Sequence, residues 1–206
     1  MAVRFVCCLP EIEDVMFSPI RSVILASFAF AAVAGAQAQS GQPTAPAAPA
    51  IPAAGAQAPD FAATATDSTG RAIPVSLSAL KGKVVVLAFY PADRSSGCTV
   101  ELTKFRDEYK TMFGDGVVVL PTSNDSLASH SSWAKDAHFP FAMISDPKAE
   151  VATKYGSQGG ARPNFRRTVF VIGKDGKIVY SEGRFNANAQ DGYDKLASAI
   201  KAAKGQ

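Results

Sequence analysis

From residue 83 onward the chain alternates short, unbroken apolar runs with amphipathic stretches. KVVVLAFY (83–90), GVVVLP (116–121) and FAMIS (141–145) are rich in β-branched and aromatic residues and too short for helices, which is the pattern of strands buried on both faces. Between them, Leu102, Phe105, Tyr109 and Met112 recur at spacings of three and four, predicting a helix with one apolar face. Residues 125–137 predict a second helix with Leu127 and Ala134 inward, and KAEVATKYG (148–156) a third that stops at its glycine. The rhythm then changes. RTVFVIGKDGKIVYSEG (167–183) alternates on either side of a KDG turn, a hairpin signal, and DGYDKLASAIKAAK (191–204) closes as a helix with Tyr193, Leu196 and Ile200 inward.

The order strand, helix, strand, helix, strand, helix, hairpin, helix predicts an α/β fold with a central mixed β-sheet and helices on both faces. That order fits a thioredoxin-like sandwich. No internal repeat interrupts it.

The front of the chain reads differently. Residues 17–38 carry a basic residue, Arg21, then an apolar run over 23–34, then small-residue AxA sites ending at Ala36 and Ala38. This is the layout of a secretory signal peptide, and the run is short for a membrane span. The preceding MAVRFVCCLPEIEDV is acidic where a signal peptide begins basic, which points to Met16 as the initiator. Residues 1–36 are therefore expected to be removed after Ala36 or Ala38, together with Cys7 and Cys8. No cysteine closely follows the apolar run, so the expectation is an exported, periplasmic protein without a lipid anchor or a membrane span in its mature form. Residues 37–58, rich in Ala, Pro and Gln, read as a flexible tether, and 59–206 as one folded domain.

Cleavage takes away two of 21 basic and three of 18 acidic residues, leaving 19 against 15. No dense Lys/Arg cluster with interleaved aromatics accompanies this mild excess, which argues against a nucleic-acid partner. Two histidines and scattered cysteines give no metal-ligand spacing, so neither metal nor other cofactor is assigned. His130 and Trp133 read as packing or surface groups and His138 as a helix-end residue. One cysteine remains in the mature chain, so no internal disulfide can form.

That cysteine lies in YPADRSSGCTVE (90–101), a turn of Pro, Ser and Gly between an apolar run and an amphipathic one. At the first turn of a helix following a strand, Cys98 would meet unpaired backbone N–H groups and the positive end of the helix dipole. Such a place favours the thiolate, which is the nucleophile. A buried filler cysteine belongs on an inward face instead, whereas this one sits at a strand's carboxyl end, where sites in α/β sheets form. Ser95 can bring a hydroxyl to the same space, Gly97 allows close backbone approach, and Pro91 can shield the sulfur from water.

The pattern Pro91, Ser95, Cys98 resembles the PxxxTxxC active-site motif of the peroxiredoxins, with serine for threonine, and CTxE through Glu101 resembles the bacterioferritin-comigratory, PrxQ-like branch. APDF (58–61), LKGKVVVLAFYP (80–91), SNDSLASHSSW (123–133), FPFAMISD (139–146) and RTVFVIGKDGKIVY (167–180) are similar to that family in order and spacing. The resemblance implies a thiol peroxidase of hydrogen peroxide or alkyl hydroperoxides, with Cys98 the peroxidatic cysteine oxidised to sulfenic acid. It further implies that Ser95 hydrogen-bonds the peroxide, Pro91 packs over the pocket, and Arg167 stabilises the thiolate and the breaking O–O bond. Arg166 takes that place if the register slips by one, and an exposed strand-end charge is the other reading of Arg167. Glu101 would either hold the guanidinium or be a surface helix acid.

Where relatives carry a resolving cysteine five residues on, this chain has Thr103. A one-cysteine enzyme needs an external thiol reductant, a thioredoxin-like protein or small thiol, or pairing of two Cys98 residues between chains, as a monomer or a homodimer. Two other functions compete. SSGC can be read as a CxxC that lost its first cysteine, giving a thiol–disulfide oxidoreductase of the same fold, but turnover there needs two cysteines. A non-catalytic binding module would leave the reactive turn unexplained.

Overall fold

The computed structural model describes residues 50–159 and 164–205. The expected leader over 1–36 and most of the tether lie outside the described residues.

The sheet is organised around β3 (Val84–Phe89), all six residues of which are buried. β4 (Val117–Ser123) pairs with it in parallel on one edge, and β6 (Thr168–Ile172) antiparallel on the other. Successive side chains of a strand face opposite ways, so β3 feeds two cores. Val84, Val86 and Ala88 pack with Leu102, Phe105, Trp133, Leu196 and Ile200. Those partners come from α1 (Ser96–Asp107), α2 (Leu127–Ala137) and α4 (Gln190–Lys204). Val85, Leu87 and Phe89 pack with Phe61, Tyr155 and Phe170, and with Val151 and Ala152 of α3 (Glu150–Lys154), on the other face. Burial on both faces is why β3 is an unbroken apolar run, and each fully buried Phe or Leu contributes about 1.5–3 kcal/mol.

β1 (Ala62–Thr66), β2 (Ala72–Ser76), β5 (Met143–Ser145) and β7 (Ile178–Glu182) complete a sheet of order β2-β1-β5-β4-β3-β6-β7. β4 and β5 are parallel, and the remaining neighbours antiparallel. This is the mixed-sheet, thioredoxin-like α/β sandwich the element order predicts.

Four local differences have physical causes. The β1–β2 hairpin has no counterpart in the sequence reading because AATAT and AIPVS hold few large apolar residues. Pro74 is tolerated there because β2 is an edge strand. The stripe expected to run to Met112 leaves α-geometry after Asp107. Tyr109–Phe113 forms a wider helical turn that buries Phe113 against Phe105, their rings 5.3 Å apart, and Gly114 at φ 61° ends it. In α2 the buried stripe is His130, Trp133 and Ala134, while Leu127 is only half-buried. The tether ends earlier than residue 58. Gly55 N–H donates to the Ile178 carbonyl at 2.8 Å, Ile178 N–H to Ala56 at 2.9 Å, and Ala58 N–H to Gly176 at 3.0 Å. The outer edge of β7 thus captures backbone whose composition alone reads as free.

Candidate active site

β3 leads through Tyr90 into the turn at Pro91, and Ser95, in extended conformation, precedes the first residue of α1. Cys98 is the third residue of that helix and is fully buried. The antiparallel pairing sets Thr168 opposite Phe89, so Arg167, one step before β6, reaches across the end of β3 to the start of α1. Its Nη2 donates to Cys98 Sγ at 3.3 Å. Thr168 behind it shares a 2.5 Å hydrogen bond with Ser157, both hydroxyls buried.

The other branch of the guanidinium, Nη1, pairs with Glu101 Oε2 one helical turn beyond the cysteine. Glu101 has no solvent exposure and Arg167 only 17%, so the pair is largely desolvated. Burial pushes the Glu101 carboxyl up to about 7, with the charge and hydrogen bond of Arg167 offsetting part of the effect. Burial acts to lower Arg167, but Glu101 and Cys98 outweigh it, holding the guanidinium above its ordinary value and charged. Oε1 of Glu101 has no hydrogen-bond partner among the described residues. Gly97 makes room for this arrangement: a Cβ there would lie 3.1 Å from Arg167 Nη2.

Cys98, Arg167 and Glu101 are thus brought together as the motif reading requires. Arg166, the alternative for a slipped register, is exposed. It lines a shallow concavity of about 480 Å³ with Arg167, Arg184, Phe185 and Asn186. Pro91 is half-buried in the turn. Ser95 donates its hydroxyl to the Ala92 carbonyl at 3.1 Å, and its own carbonyl accepts from Thr99 N–H and hydroxyl at 2.8 and 2.9 Å. That leaves the Ser95 oxygen with free lone pairs, an acceptor for a ligand's O–H.

A second cluster was not anticipated from the sequence. His130 is buried, not a surface group, and meets Asp93 of the cysteine-bearing turn. The signal available was a lone histidine on the apolar stripe of α2, which demands a buried polar partner. His138, by contrast, stands at the end of α2 in left-handed conformation, as a helix-end residue should.

The model of the AhpC/TSA family matches residues 54–181. The chain belongs to the AhpC/TSA family. Among curated relatives, chloroplastic peroxiredoxin Q of Oryza sativa subsp. japonica is 39% identical over 129 residues, covering 61% of this chain and 57% of that protein. The chain therefore spans less than two thirds of that relative's length. A putative peroxiredoxin bcp of Coxiella burnetii is 39% identical over 110 residues, 50% of this chain and 73% of the relative. The solved structure of peroxidoxin BcpB from Mycobacterium tuberculosis superposes with a TM-score of 0.64 at 30% identity, covering 73% of this chain and 97% of that one. These matches agree with the PrxQ-like branch named from CTxE.

Proposed function

We propose that this protein is a thiol peroxidase that reduces hydrogen peroxide and organic hydroperoxides. The observation that carries the reading is the contact of Arg167 with the Cys98 sulfur, in a chain of the AhpC/TSA family. A guanidinium held against the sulfur by a buried carboxylate places a fixed positive charge where the reaction moves negative charge, and the start of α1 adds the field of unpaired N–H groups.

In this mechanism the Cys98 thiolate attacks the distal peroxide oxygen. An S–O bond forms as the O–O bond breaks, and the departing alkoxide or hydroxide takes a proton from solvent to leave as alcohol or water. Arg167 stabilises the charge as it moves from sulfur to the leaving oxygen, and Ser95 accepts the peroxide's O–H. Pro91 keeps water from the sulfur. The sulfenic acid is two electrons more oxidised than the thiolate. Cys98 is the single free cysteine among the described residues. An external thiol therefore attacks the sulfenic sulfur, expelling water and forming a mixed disulfide, and a second thiol releases Cys98 as thiolate. The Arg21-led apolar run and its AxA sites support action outside the cytoplasm.

The test is consumption of hydrogen peroxide and cumene hydroperoxide by residues 37–206 with dithiothreitol as reductant. The wild type should turn over both, and consumption no faster than that of Cys98→Ser would reject the reading.

A further inference from the structure

Beside the cysteine lies a buried ionic network that the peroxide chemistry leaves unused. The His130 side chain has no solvent exposure and that of Asp93 only 4%. His130 Nδ1 lies 3.0 and 2.9 Å from the two carboxylate oxygens of Asp93, and Nε2 lies 3.2 Å from the carbonyl of Ile144 on β5. Both partners accept hydrogen bonds. The ring is thus gripped at both nitrogens, by the cysteine-bearing turn on one side and by β5 on the other.

The groups around this pair complete its hydrogen bonding. Burial acts to raise the Asp93 carboxyl, yet the hydrogen bond and charge of His130, with hydrogen bonds from Ser129 and Tyr90, outweigh it and hold Asp93 below its ordinary value. Tyr90 donates to Asp93 at 2.7 Å, and its hydroxyl stands 3.4 Å from Nδ1. Burial and the nearby Asp93 charge push Tyr90 well above its usual range, so it stays neutral. Ser129 donates to Asp93 at 2.6 Å. Asp125 accepts the Asp93 backbone N–H at 2.8 Å and the Ser123 hydroxyl at 2.7 Å. Arg94 turns away, to Ser132 and Asp136 at the outer side of α2.

We propose that Asp93 and His130 form a positioning pair that clamps the cysteine-bearing turn to α2 and β5. Its catalytic consequence rests on the thiol-peroxidase reading; the pair itself does not. Asp93 stands two residues after Pro91 and two before Ser95, so fixing its side chain and N–H fixes the path of the backbone between the two residues that shape the peroxide pocket. That path is not a relaxed one. Arg94 has φ 58°, left-handed without being glycine, and such a conformation persists only where its surroundings over-determine it. A buried polar pair whose hydrogen bonds are all made admits one geometry.

The distinguishing measurement compares two reactions of the same sulfur. Alkylation by iodoacetamide reports how much thiolate is present and reachable, whereas peroxide reduction also needs Ser95 and Pro91 in place. His130→Gln and Asp93→Asn should lower the rate constant of Cys98 with hydrogen peroxide by about 10- to 100-fold, as loss of reactant alignment does, and change alkylation by less than about 3-fold. The double variant Asp93→Asn/His130→Gln, which leaves no unpaired buried charge, supplies a folded comparison if either single variant fails to fold, with the same expected selectivity. Unchanged peroxide rates, or equal losses in both reactions, would overturn the positioning role. Independently of activity, ¹H–¹⁵N spectra of the wild type, assigned by the signal missing in His130→Gln, should show a His130 Nδ1–H that exchanges slowly with solvent. A rapidly exchanging ring N–H would overturn the pair. A wild type that alkylates but does not reduce peroxide would reject the peroxidase reading instead, leaving the ring spectra to decide the pair.

Discussion

Arg167 touches Cys98 through one guanidinium nitrogen and Glu101 through the other, so one side chain joins the sulfur to a buried carboxylate. A planar fork is needed for this: lysine, with a single ammonium on a flexible stem, cannot hold both positions. Arg167→Lys is therefore expected to behave much like Arg167→Gln. Each should lower kcat/KM for hydrogen peroxide by about 100-fold, the scale of removing one donor that stabilises transition-state charge. Stopped-flow assays of the two variants check this, and near-wild-type activity of Arg167→Lys would show that charge alone suffices.

Glu101 gives the site a pH dependence of known sign. Its carboxyl is raised from 4.5 to about 7 in the folded chain by burial, against the partial relief from Arg167. Between those values the unfolded chain has lost the proton that the folded chain keeps, so this group's contribution is fully present below 4.5 and declines as pH rises to about 7. Activity should move the other way, because only the ionised carboxylate anchors Arg167. Urea denaturation from pH 4.5 to 7.5 should show a decline in stability that Glu101→Gln flattens. The rise of kcat/KM through pH 7 should flatten in the same variant.

Gly97 separates activity from stability. Alanine suits a helix better than glycine by roughly 0.5–1 kcal/mol, so on propensity alone Gly97→Ala should stabilise α1. Its Cβ, however, would stand 3.1 Å from Arg167 Nη2, so the guanidinium that contacts the sulfur must give way by a few tenths of an ångström. Thermal melts should show stability equal to or above wild type, while the peroxide rate constant falls by about 10-fold, the scale of a small misplacement of a reacting group. A full-rate, stabilised Gly97→Ala would mean that Arg167 has slack.

The parts of this structure that were legible in the sequence are those where one physical demand dominates. β3 had to be apolar throughout because it is buried on both faces, and α4 repeats its apolar face without interruption at Tyr193, Leu196 and Ile200. Cys98 and Arg167 were legible through the likeness of their segments to the peroxiredoxins, and the pairing of Phe89 with Thr168 explains how residues 69 positions apart meet. His130 and Asp93 were not, because their meaning is mutual. Asp93 accepts from Tyr90 within its own turn, but His130 reaches it only because α2 docks against that turn. The β1–β2 hairpin was missed for a related reason: its strands take their stability from pairing and from β5, not from large apolar side chains of their own.

The Ala/Pro-rich entry to the domain carries the last prediction. Composition marks residues 37–58 as a tether, yet the end of that stretch is bonded to the β6–β7 hairpin through Gly55, Ala56 and Ala58, and Gln57 adds a side-chain bond to the Gly176 carbonyl at 2.9 Å. Ala58 is buried, and Ile51 packs partly against the second core. Starting the chain at residue 59 removes these contacts and exposes the outer edge of β7, while leaving Cys98, Arg167 and Glu101 untouched. With four hydrogen bonds each worth about 0.5–1.5 kcal/mol net, the shortened chain should lose about 2–6 kcal/mol relative to one starting at residue 50. Its peroxide rate constant should be unchanged at temperatures where it remains folded. Paired denaturant titrations and rate measurements decide this: equal stability would restore the whole stretch to the role of a tether, and a lost rate in a folded chain would tie this edge of the sheet to the active site.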